Sequence, residues 1–255
     1  LSLVGSEMCI RDSMNNLRAS GEIVDWQPIA YDWRYSPHHI VNSGTKTGAK
    51  ISYTTTSDSP YIIEELKRLA INSKSGKVTI VAHSNGGLVA KALSMKLGSE
   101  ASKYIDKIIM VGTPQLGTPE TIAALLHGSN TSFPFNNLSE KAARDIAQNM
   151  PGAYGLVPSN SYFTYVDDPV VTFDHTVPNW MSRYGSTIHS AELLRTFMTD
   201  TTRLKPTFAD LQTPQVSNSA IYDAALVSHV GLDNWTVPAD IELITIAGWG
   251  QNTLA

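Results

Sequence analysis

The segment Val78-Thr79-Ile80-Val81-Ala82-His83-Ser84-Asn85-Gly86-Gly87-Leu88-Val89-Ala90 constrains this chain more than any other. An apolar, β-branched run reads as a buried strand, a serine follows between small residues, and a Gly-rich start opens a helix. A hydroxyl that is to attack a carbonyl has to project from a sharp strand-to-helix turn, whose backbone is strained. Ala82 and Gly86, two positions either side of Ser84, fit because larger side chains would collide inside that turn. The helix N-terminus offers unpaired N–H groups and a dipole that favour a developing oxyanion. By position, the backbone N–H of Asn85 is then an oxyanion donor. Small-x-Ser-x-Gly alone is weak, since roughly 0.2 chance matches are expected in such a chain. The strand before it and the helix after it are independent requirements, and both are met. The bland alternative is a structural turn in an inactive relative.

The flanking pattern predicts an α/β fold with a mostly parallel sheet. Residues 26–31 read as a strand-like stretch leading into Tyr31-Asp32-Trp33-Arg34, and the polar residues 42–59 read as a loop. A helix is expected next, with Ser59 as N-cap, Pro60 at its first position, and Ile62, Leu66 and Leu69 on one face. Glu64 and Arg68 stand in the favourable i,i+4 order. Residues 77–83 predict a strand, 85–97 a helix stopped by Gly98, and 104–112 and 242–248 two more short apolar strands. Short buried strands alternating with helices indicate βαβ units. Residues 113–240 carry helical patterns at 121–126, 140–148, 191–198 and 220–230. So long a connection reads as a lid insertion, placed at about 119–240.

Composition excludes several classes. Charged residues are 16% and hydrophobic residues 42% of the 255, which fits neither a disordered acidic tail nor a coiled coil. The net charge is −4 with no Lys/Arg block, so nucleic acid is not expected as a partner. The apolar runs are far shorter than the ~20 residues of a membrane span, so no transmembrane segment is expected. A single cysteine builds neither a disulfide framework nor a thiolate metal site. It lies in Met8-Cys9-Ile10-Arg11-Asp12-Ser13, which matches the translated end of a transposon-type sequencing adaptor. Residues 1–13 are therefore expected to be an assembly artefact in metagenomic DNA, and residues 14–255 a partial domain. His83 neighbours Ser84 on a strand and should point to the opposite face, as a packed, hydrogen-bonded histidine. His38, His39, His127, His175, His189 and His229 lack metal-ligand spacing and read as loop or surface residues. No metal and no cofactor is called for. Asp167-Asp168 reads as a solvated loop.

Four blocks resemble the lecithin:cholesterol acyltransferase-type branch of the α/β-hydrolases, and less closely the GPI inositol-deacylase lipases. They are Tyr31-Asp32-Trp33-Arg34, Ala82-His83-Ser84-Asn85-Gly86-Gly87, Val111-Gly112-Thr113-Pro114-Gln115-Leu116-Gly117-Thr118, and Ile246-Ala247-Gly248-Trp249-Gly250-Gln251-Asn252-Thr253. The resemblance implies an α/β-hydrolase fold, Ser84 as nucleophile, and action on lipid or other acyl esters, with water or an acceptor alcohol releasing the acyl group. It also implies a lid between the last two strands, and Asp32 and Arg34 as braces of the active-site rim.

The departures are large. The family's upstream oxyanion loop has no counterpart, and no carboxylate follows Glu242, so the order Ser, acid, His cannot be completed. The sequence is therefore read as the middle of a longer protein, incomplete at both ends. Loss of a triad base costs about 2 × 10⁶ in kcat, so these residues alone are expected to be nearly inactive. The aromatics Phe133, Phe135, Tyr162, Phe163 and Trp180 read as core first and acyl-chain contacts second. A non-catalytic binding protein on the same scaffold is the competing reading. The compartment stays open, secretion being the working expectation.

Overall fold

The computed structural model describes residues 6–128 and 139–248. The chain opens with α1 (Ser6–Ala19), α2 (Pro37–Asn42), a hairpin of β1 (Ser43–Thr47) and β2 (Lys50–Thr56), and α3 (Tyr61–Asn72). A βαβ unit follows, made of β3 (Val78–His83), α4 (Asn85–Leu97), a 3-10 turn (Gly98–Glu100), α5 (Ala101–Tyr104) and β4 (Ile105–Val111). The next stretch folds as α6 (Glu120–His127), α7 (Glu140–Ala147), α8 (Pro151–Tyr154), α9 (Tyr162–Tyr165) and β5 (Val171–Thr172). It continues through α10 (Pro178–Tyr184), β6 (Thr187–Ile188), α11 (Ala191–Thr199) and α12 (Ser219–Asp233) before β7 (Glu242–Ile246).

The strands β3, β4 and β7 pair in parallel, in that order, with Ala82 opposite Met110 and Met110 opposite Thr245. This is a mixed α/β protein whose parallel three-stranded sheet is flanked by helices, an arrangement consistent with an α/β-hydrolase. The central strand β4 is the most apolar, and its Ile105, Ile108 and Met110 are fully buried. On β3 alternation sends Val78, Ile80 and Ala82 inward and leaves Thr79, Val81 and His83 exposed. The helix α4 packs on that inner face through Leu88, Val89, Ala92 and Leu93. Each such leucine contributes about 1.5–3 kcal/mol of burial, which fixes the helix whose first turn carries the serine. Gly98, at φ 54, stops it as the sequence predicts.

A second core forms within residues 120–225, where Leu125, Ile188, Leu194 and Met198 are fully buried. Phe173, Trp180, Tyr184 and Phe197 pack as stacked and T-shaped pairs, with the Arg203 guanidinium over Trp180 and Phe197. Beside them Asp200 accepts hydrogen bonds from Tyr184 Oη at 2.7 Å, from Thr202 and from Arg183. These bonds, Tyr184's foremost, hold the Asp200 carboxyl well below the usual carboxylate range. A carboxyl so depressed contributes stability that is complete above its unfolded pKa of about 3.9 and lost as pH falls through the lower folded value. Near-UV circular dichroism of the Trp180 cluster is therefore expected to stay constant from neutral pH to about pH 4 and to collapse only below it. Loss of the signal at higher pH would show that Asp200 does not govern this unit.

Three local expectations need correction. Residues 26–31 pair with no strand; Pro28 removes one donor from any ladder there. Residues 42–59 are a hairpin rather than a loop: Thr45, Thr47, Ile51 and Tyr53 are strand formers, and Gly48, at φ 61, turns the chain. Tyr53 lies buried, 5.4 Å from the Tyr35 ring, while the polar outer face hides the hairpin from a composition reading. At α3, Pro60 rather than Ser59 takes the cap position, and Arg68 bonds Glu65 rather than Glu64.

Candidate active site

Ser84 occupies the junction of β3 and α4 at φ 53, ψ −129. Among the described residues it is the one non-glycine with positive φ. Such a backbone costs of order 1–3 kcal/mol and persists only where the surroundings over-determine it. The surroundings are visible. Ser84 N–H donates to Val111 O at 2.9 Å, and Gly87 N–H donates back to Ser84 O at 3.0 Å. At the sheet end Gly112 N–H donates to Ile246 O at 2.9 Å, so the turn, the loop after β4 and the end of β7 are locked in one row.

The crowding falls one residue later than expected. A Cβ added at Gly86 would meet Tyr31 Oη at 3.7 Å and Ala82 Cβ at 3.8 Å, ordinary contacts. A Cβ at Gly87 would instead overlap the Thr113 side chain. The first turn of α4 thus lies flush against the Val111–Thr118 block. Asn85 holds the first helical position, where a backbone N–H has no intrahelical partner. Its side chain lies beside the Tyr31 hydroxyl, and burial pushes that phenol above its ordinary range.

The Tyr31–Arg34 block forms the adjacent rim. Arg34 Nε donates to Asp32 Oδ1 at 2.8 Å and its terminal nitrogen to Oδ2 at 2.5 Å. The Arg34 side chain is 62% exposed, so the pair shapes the loop more than it stabilises the fold.

No hydrogen bond of the Ser84 hydroxyl to a histidine or carboxylate occurs among the described residues. His83 is exposed rather than packed, which corrects that expectation. His39 reaches Tyr53 O at 2.9 Å and His127 reaches Leu211 O at 2.8 Å. His229, read from sequence as a loop or surface residue, is 2% exposed on α12 and pairs with Asp233. Its i,i+4 carboxylate was the available signal; its other partners are distant in sequence. Asp167 and Asp168 are exposed, in line with a solvated loop. Among the aromatics, Trp180 packs in the second core, and Tyr162 and Phe163 pack edge to face. Phe133, Phe135 and the block after Gly248 lie outside the described residues. Among the described residues no cluster of three or more His, Cys, Asp or Glu could hold a metal ion, and no helix is long and apolar enough to cross a membrane.

A parallel α/β sheet with a strained serine at a strand-to-helix turn defines the class of protein. The family model described as lecithin:cholesterol acyltransferase matches residues 11–180, and the chain belongs to that family. The match includes three of the four blocks; the one beginning at Ile246 lies beyond it. No curated protein matches the chain. Among solved structures it is similar to a chain of the Tle4–Tli4 complex, with a TM-score of 0.41 and 14% identity over 83% of this chain. That alignment covers 42% of the other chain, so this chain spans less than half its length.

Proposed function

We propose that the protein is a serine esterase, lipase or O-acyltransferase acting on lipid or other acyl esters, with Ser84 as its nucleophile. The positive φ of Ser84 carries this reading, because strain stored at a strand-to-helix serine presents a hydroxyl for attack and serves no packing purpose. The Ser84 oxygen would bond to the substrate carbonyl carbon as its proton passes to a general base. The Asn85 backbone N–H would stabilise the resulting oxyanion. Collapse would expel the alcohol, which takes up that proton, and leave an acyl-enzyme for water or an acceptor alcohol to release. Residues of about 119–240 would form the lid over this site.

The test is labelling by a fluorophosphonate probe of the protein expressed from its complete reading frame. Labelling supports the enzyme. A folded protein that takes no label supports the non-catalytic binding reading instead. Tyr31→Phe removes the hydroxyl that lies beside the Asn85 side chain and the first turn of α4 while keeping the ring. It is expected to slow labelling about fivefold, the equivalent of one polar contact of roughly 1 kcal/mol. An unchanged rate would remove Tyr31 from the account.

A further inference from the structure

A buried polar knot ties the helix that starts at Ser84 to the loops bordering it. His229 Nε2 lies 2.9 Å from the Gly155 carbonyl, which can only accept, so this nitrogen carries a proton. His229 Nδ1 lies 3.1 Å from Asp233 Oδ1, and Ser159 Oγ donates to Asp233 Oδ2 at 2.6 Å. Serine, aspartate and histidine are the chemistry of a catalytic triad, but their order here is wrong for one. The carboxylate sits between the hydroxyl and the ring, and Nε2 is spent on a carbonyl. The knot is therefore no second nucleophile.

What it holds is more informative. Ser159 N–H donates to Leu116 O at 2.9 Å, Thr118 N–H to Leu156 O at 2.8 Å, and Gly152 N–H to Arg34 O at 2.9 Å. Residues 152–159 are thus stitched both to the loop after β4 and to the Tyr31–Arg34 rim. From the other side Lys91, on α4, donates to Leu232 O at 3.1 Å, with its charge facing Asp233 and the Trp235 ring. Burying an imidazole, a carboxylate and an ammonium together is costly, and packed apolar side chains would hold α12 without that cost. Paired polar groups fix one geometry, which apolar packing does less sharply.

We infer that His229, Asp233 and Ser159 are positioning residues. They clamp residues 152–159 so that the 113–118 loop stays pressed against Gly87 and sets the Ser84 turn. The inference rests on the reading of Ser84 as nucleophile.

Asp233→Ala and Asp233→Asn, in the protein from its complete reading frame, separate the possibilities. The asparagine amide can donate to Nδ1 and its carbonyl accept from Ser159, so both bonds return without the charge. Asp233→Ala is expected to speed amide exchange at Thr118 and Ser159 about tenfold, with Ile108 of β4 unaffected. It should also slow fluorophosphonate labelling about tenfold. Asp233→Asn should restore both readouts. Unchanged exchange in Asp233→Ala, or an asparagine variant as impaired as the alanine one, overturns the clamp. Faster exchange with an unchanged labelling rate overturns its positioning role. Should Asp233→Ala not fold, Ser159→Ala removes one bond only and carries the same test at about threefold. A parent that takes no label defeats the nucleophile reading, and the exchange arm then decides the clamp alone.

Discussion

Ser84→Ala is expected to lower acyl-ester turnover of the complete protein by about 10⁶-fold, the cost of removing the nucleophile from a catalytic unit. The fold should survive. Ser84 makes its two bonds in the turn through backbone atoms, N–H to Val111 and carbonyl from Gly87, and alanine keeps both. The strain should persist as well, because alanine at φ 53 is no easier to hold than serine. Thermal midpoints of parent and variant are therefore expected to agree within about 2 °C, a surface-like effect of roughly ±0.5 kcal/mol. Turnover that persists at a tenth or more of the parent rate would place the chemistry elsewhere. Turnover lost together with the fold would leave the assignment to probe mapping.

The second large effect is on stability. Gly87→Ala puts a methyl into the space held by the Thr113 side chain. Overpacking costs about 1–3 kcal/mol, and alanine returns up to about 1 kcal/mol of helix propensity. The net is a destabilisation of about 1 kcal/mol, or roughly 2–4 °C in Tm for a chain of this size. Thr113 is a short side chain on a bound loop, so it cannot swing away as a lysine tip would. Its hydroxyl is buried without a hydrogen-bond partner among the described residues. Thr113→Ala should therefore be nearly neutral alone and should rescue most of the loss in the double variant. A double variant no better than Gly87→Ala would mean that something other than Thr113 fills the space.

The strand-to-helix turn at Ser84 is legible in the sequence because every requirement for it is local. The apolar strand, the serine, the small neighbours and the helix ended by Gly98 follow one another in sequence, and α4 runs over Asn85–Leu97 as expected. The helical patterns at 121–126, 140–148, 191–198 and 220–230 also reappear, as α6, α7, α11 and α12, with α7 one residue shorter than expected and the other three slightly longer. The β1–β2 hairpin escaped because its polar outer face resembles a loop, and only tertiary burial of Tyr53 reveals its inner one. Gly87 was less conspicuous than Gly86, since the atom that forbids a side chain there belongs to Thr113, 26 positions later. The partners of His229 were hidden for the same reason: Gly155 and Ser159 precede α12 by a long stretch and meet it only in the folded chain.

The most direct test of the account is to trap the acyl-enzyme. The complete protein would be mixed with a short-chain activated ester, quenched in acid within the first turnover, digested and mapped by mass spectrometry. The account predicts one acyl group, on the peptide that contains Ser84, and none in Ser84→Ala. Acylation of a different serine, or release of product with no covalent adduct at any residue, would contradict it.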